Sequence, residues 1–170
     1  MKILIECKAD QLFLEKVFSS RKGITLKHGR NKSEIIKFLT KREYIGSLGM
    51  IDEDPHVNPP SYLLQHYKKH IETDAVIVYR NFENRTSLIV LRPRLEEFVL
   101  NIAKNAKIDP NDCGLPSNGE KLHAIINLQL KSFNKLMEKI VDHHSPSLKK
   151  LKEIFDGEIK WASRDALTRG

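Results

Sequence analysis

The apolar residues of this chain change their period from one segment to the next. Residues 2–6, KILIE, form a short β-branched-rich run that reads as a strand. In 7–20, CKADQLFLEKVFSS, apolar positions return at helical spacing through Leu12, Phe13, Val17 and Phe18. The alternation repeats. GITLKHG (23–29) is a second strand, and NKSEIIKFLTKR (31–42) is a helix with Asn31 or Ser33 as its cap ahead of Ile35, Ile36 and Leu39. YIGSLGMID (44–52) is a third strand. Strands that alternate with helices of about ten residues imply parallel crossovers with helices on both faces of one sheet.

Beyond residue 52 the rhythm changes. Pro55, Pro59 and Pro60 remove backbone donors, and Ser61 stands as the cap of a short helix through YLLQHYKKHI (62–71). DAVIVYRN and TSLIVLRP are two further strands, and the four residues FENR between them are too few for a helical crossover, so they predict an antiparallel hairpin at the sheet edge. RPRLEEFVLNIAKNAKI reads as a helix led by Pro93. A turn-rich loop at 108–121 follows, then one long amphipathic helix over 122–144 and a shorter one from SPSLKKLKEIF. The tail WASRDALTRG is expected to fray. The expected fold is therefore a Rossmann-like α/β/α arrangement, mostly parallel with an antiparallel edge hairpin. Residues 1–107 would form its core, with 108–170 a helical extension packed on the same domain.

Composition changes this picture little. A chain of 170 residues can bury one substantial core, and 29 Lys plus Arg against 22 Asp plus Glu give a formal charge of +7, which suits a polyanionic partner. No run approaches the roughly 18 apolar residues of a membrane span, and KILIE stops at an acid, so a cytoplasmic protein is expected. Cys7 and Cys113 belong to no CxxC pair and read as reduced packing thiols.

The acids carry the chemistry. Glu6 closes the first strand and Asp52 the third, so a parallel sheet brings both out at its carboxyl edge, where open α/β folds place their sites; Asp54 can turn to the same side. Carboxylates converging in a partly desolvated cleft repel one another unless a cation neutralises them, and Mg²⁺ or Mn²⁺ suits an all-oxygen donor set. The alternative for Asp52, Glu53 and Asp54 is a solvated turn before Pro55.

ILIECKAD followed by LGMIDEDP resembles the Toprim domain of topoisomerases, bacterial primases, OLD-type nucleases and related recombination proteins. The family pattern is a strand ending in Glu, an Asp four residues on, and Asp-x-Asp after a later strand; Glu6, Asp10, Asp52 and Asp54 match it over residues 2–92. The family's Gly after the first Glu is replaced here by Cys7. RPRLEEFVL resembles the downstream acidic helix start of OLD-like members, with Glu96 at the matching position and Glu97 beside it.

The resemblance implies a Mg²⁺- or Mn²⁺-dependent phosphotransfer site. Asp52 and Asp54 would bind metal, Glu6 would bind metal or act as general acid/base, Asp10 would join the metal ligands, and Glu96 would complete a second metal site. Asp10 could equally cap its helix, and Glu96 and Glu97 could simply offset a helix dipole. Lys8, His28, Arg30, Arg92 and Arg94 follow strand ends and are the candidates for substrate phosphates, or else solvated surface charges. None of Tyr44, Tyr62, Tyr67 and Tyr79 is assignable as a strand-cleaving nucleophile, so neither topoisomerase activity nor primer synthesis is expected.

Other constellations are poorer. His66 and His70 lack a third ligand, DPNDCG lacks the spacing of a calcium loop, and the acids around Asp52 do not match a receiver domain. The expected function is a Toprim-like nuclease acting on DNA or RNA, as a single chain, a homodimer or with a partner protein. The alternative is a non-catalytic module of the same fold that binds a metal or a phosphate.

Overall fold

The computed structural model describes residues 1–18, 21–53 and 61–163. Six strands form one sheet: β1 (Lys2–Ile5), β2 (Thr25–His28), β3 (Leu48–Asp52), β4 (Lys68–Glu72), β5 (Val76–Asn81) and β6 (Thr86–Leu91), in the order β2-β1-β3-β6-β5-β4. β2, β1, β3 and β6 run parallel, while β5 and β4 are antiparallel to their neighbours. The helices are α1 (Lys8–Val17), α2 (Lys32–Leu39), α3 (Ser61–His66), α4 (Leu95–Asn105), α5 (Gly119–Ile125), α6 (Leu130–Asp142) and α7 (Pro146–Ser163).

Alternation along the strands sorts the core into two layers. Ile3, Ile5, Leu48, Met50, Val78, Ile89 and Leu91 pack against α1, α4, α6 and α7, whereas Leu4, Ile51, Ile77, Leu88 and Val90 face α2, α3 and Tyr44. On the second face Gly49 lets α2 approach closely, because a Cβ there would stand 2.9 Å from Ile35 Cγ2 and 3.0 Å from Leu39 Cδ1. The C-terminal segment shares the main core: Leu122, Phe133, Met137, Ile140 and Phe155 are fully buried in the same cluster as Ile3 and Phe13. An ion pair buried beneath α7 ties it to the hairpin. Arg80 grips Glu158 in a fork at 2.9 and 2.8 Å, Ser87 donates to the same carboxylate at 2.6 Å, and the Arg80 and Arg85 guanidinium groups lie over the Trp161 ring.

Three elements differ from the sequence expectation. The helix predicted over 62–71 stops at His66, and Lys68–Glu72 becomes an antiparallel edge strand on β5, with Thr73 closing the turn by accepting the Val76 N–H at 3.0 Å. His66 and His70 thus stand on different elements. The long helix predicted over 122–144 is two helices separated at 126–129. No Gly or Pro marks that break; within it Asn127 makes a distant contact, its Oδ1 accepting the Ala9 N–H at 3.1 Å. The last helix also runs further than SPSLKKLKEIF, to Ser163.

Candidate acidic crevice

β1 and β3 are neighbours reached by chain excursions in opposite directions, the point at which open α/β sheets form a crevice at their carboxyl edge. They pair only at Ile3↔Leu48 and Leu4↔Gly49, whereas β3 stays with β6 as far as Asp52↔Leu91. Glu6 sits just past the end of β1 on one side of this gap, and its Oε1 accepts the Asp52 N–H at 3.2 Å. A carboxylate therefore bridges the strands where the backbone ladder has ended.

Each acid is held at a helix start. Asp10 is the third residue of α1, not its cap: Cys7 holds that position, and Asp10 Oδ2 reaches back to accept the N–H groups of Cys7 at 2.9 Å and Glu6 at 3.1 Å. Asp52 Oδ1 accepts the Leu95 N–H at 2.9 Å, which supplies the side-chain cap that Arg94 does not give α4. Glu96 lies in the first turn of α4, 4% exposed, with Oε1 at 3.1 Å from His123 Nδ1 and Oε2 buried without a hydrogen-bond partner. Two helix N-termini thus direct their positive ends at one group of acids.

Electrostatics show how strongly these groups feel one another. Burial, reinforced by the charges of Asp10, Glu96 and Glu6, pushes the Asp52 carboxyl up to about 8. Burial also raises Asp10, against the lowering effect of its amide partners, with Glu96 adding to the rise. Glu6 is raised by burial and by Asp10, while the Asp52 amide and Lys32 oppose it. The Cys7 thiol is pushed up to about 12, mainly by burial, which leaves it protonated and inert as a nucleophile.

Glu6, Asp10, Asp52 and Glu96 are therefore brought into one neighbourhood, and Asp54 lies outside the described residues. The donor chemistry fits a hard cation: carboxylate oxygens, one of them buried and unsatisfied, with a protonation-prone Asp52 at the centre. Among the described residues, however, no three His, Cys, Asp or Glu side chains stand in a metal-holding arrangement.

The basic candidates divide into two groups. Arg92 is paired with Glu53 at 2.8 Å and Glu72 at 3.2 Å, and Arg94 with Glu97 at 2.5 Å and Glu120 at 2.6 Å, so both are neutralised by neighbouring acids. Lys8 and Arg30 are exposed at the starts of α1 and α2, and exposed His28 meets Gln11 Oε1 at 2.6 Å. Sequence reasoning missed His123 and Asn127. Both fall in a stretch that reads as uninterrupted amphipathic helix, where nothing local distinguishes them.

No family model, no curated protein and no solved structure matches this chain. What the fold and site define is a class: a mostly parallel, Rossmann-like α/β protein with an acidic crevice at the carboxyl edge of its sheet.

Proposed function

We propose that the crevice takes Mg²⁺ or Mn²⁺ and that the protein is a Toprim-like nuclease, performing metal-dependent phosphotransfer on DNA or RNA in the cytoplasm. The observation that carries this reading is Asp52, an acid forced up to about 8 by burial and by three other carboxylates at the switch point of the sheet. A structural turn has no need of so unfavourable a cluster, whereas a cation relieves it.

Glu6, Asp52 and Asp54 would be the catalytic carboxylates, with Asp10 and Glu96 completing the set that holds the ion. When bound, the cation would supply Lewis-acid stabilisation of charge developing on a phosphate. The chain's own part is to fix the acids: Asp10 stiffens the turn after β1, Glu6 spans to β3, and Asp52 is aimed by the amide of Leu95. Among the described residues no helix is long and apolar enough to cross a membrane.

The second reading, a non-catalytic metal- or phosphate-binding module, draws support from Arg92 and Arg94, whose charges are already spent on carboxylates. One assay separates the two. The protein is incubated with labelled single- and double-stranded DNA and RNA in Mn²⁺, beside Asp52→Asn. Cleavage lost in the variant supports the nuclease. A Mn²⁺-dependent rise in melting temperature without cleavage supports the module, and the absence of both overturns the metal site itself.

A further inference from the structure

Positive charge is unevenly distributed along the chain. Residues 21–42 hold eight Lys and Arg against one acid, Glu34, a surplus equal to the +7 of the whole protein, so the rest of the chain is balanced. These residues form β2 and α2, the exposed edge of the sheet and the helix beside it. Of the eight, only Arg21 enters an ion pair among the described residues, with Asp156 at 2.6 Å.

Aromatic rings, not carboxylates, hold two of these lysines, Lys27 and Lys41, together with Lys2 on the adjoining strand. Phe38 and Tyr44 stack at 5.4 Å between centroids. Lys27 lies 5.1 Å from the Phe38 centroid and 4.9 Å from that of Tyr44, and it also donates to the Tyr44 hydroxyl. Lys41 lies 4.8 Å over Phe38 and Lys2 4.7 Å over Tyr44. Ring contacts fix three ammonium groups without neutralising them, which lowers the ordering cost of meeting an anion and leaves the charge intact. From this cage α2 runs eight residues, about 12 Å, to Arg30 and Lys32 at the crevice, where Lys32 already acts on Glu6. That length corresponds to three to four nucleotides of a duplex at about 3.4 Å of axial rise each.

We propose that the β2–α2 face is the nucleic-acid docking surface, binding backbone phosphates through Lys2, Lys27, Lys41 and Arg30 and leading the strand to the acidic crevice. This rests on the nuclease reading, because it names that site's substrate path. Nucleic acid is favoured over an anionic membrane because the charges lead along β2 and α2 to the crevice, and among the described residues the large apolar side chain exposed beside them is the single Ile45.

The test measures fluorescence anisotropy of a labelled 20-mer, single-stranded and duplex, in EDTA across a salt series, so that neither a cation nor cleavage enters. Lys27→Gln/Lys41→Gln should weaken binding about tenfold and flatten the salt slope by about 1.5, as the loss of two phosphate contacts requires. Lys27→Arg/Lys41→Arg should restore both. Arg30→Gln, at an exposed position, should weaken binding even if the double variant folds poorly. Lys149→Gln/Lys150→Gln removes the same charge on α7 and should change little. Equal losses in the two double Gln variants, or binding to phosphatidylserine vesicles and not to the oligonucleotides, would overturn the proposal. Docking without Mn²⁺-dependent cleavage would sink the nuclease and leave the docking face. Cleavage unaffected by the docking variants would do the reverse.

Discussion

At the scale of single residues, Asp52 has the clearest physical signature. The folded chain keeps its proton until about pH 8, whereas an unfolded aspartate releases it near pH 3.9. Between those values the folded state binds more protons than the unfolded one, so stability falls as pH rises through this window and levels off above it. Glu6 and Asp10 are shifted the same way. Urea midpoints should therefore be lower at pH 8 than at pH 5, and Asp52→Asn should flatten the difference. Mg²⁺ at pH 8 should raise the melting temperature of the native chain, and Glu6→Gln or Asp52→Asn should abolish the gain.

The sequence made Glu6 and Asp52 legible because an acid that ends an apolar strand has a defined place in a parallel sheet. His123 and Asn127 were not legible, since their roles depend on contacts made 27 and 118 residues away. Asp10 was legible only in part: its spacing allowed a cap or a ligand, and the structure gives it the amides of Glu6 and Cys7 without excluding the second role.

At the scale of elements, period and punctuation located β1, α1, β2, α2, β3 and the β5–β6 hairpin, because each has its own periodicity or turn residues. β4 escaped because KKHIE carries little apolar signal of its own, and its pairing with β5 overrides the helical reading. Its lysines and register shift near Lys69 suit an edge that must not pair with another chain. The seating of α2 on the sheet offers a sharper test. Gly49→Ala would press a methyl against Ile35, Leu39 and Leu88, at 2.9, 3.0 and 3.1 Å. The expected cost is about 1–3 kcal/mol by chemical unfolding.

At the scale of the whole molecule, the C-terminal helices belong to the core that carries the crevice. Glu158 is 1% exposed and satisfies both Arg80 and Ser87. Glu158→Ala would leave the guanidinium partly buried without its counter-charge, and denaturant titration should show a loss of about 3–5 kcal/mol. Removing residues 108–170 should be more severe, because Phe133, Met137 and Phe155 fill the same interior as Phe13. The fragment 1–107 should remain unfolded by circular dichroism.

The amide of Ala9 waits for an oxygen 118 residues further along the chain, and Lys16 waits for Glu138 across a separation of 122. Such closures are late events in folding, since long loops must be ordered before distant contacts can form. During synthesis the Ala9 amide therefore lacks this partner until the segment after α5 has been made. The acids of the crevice, at positions 6 to 96, are consequently made before His123 and Asn127 and should take their final places only after these later residues have joined them.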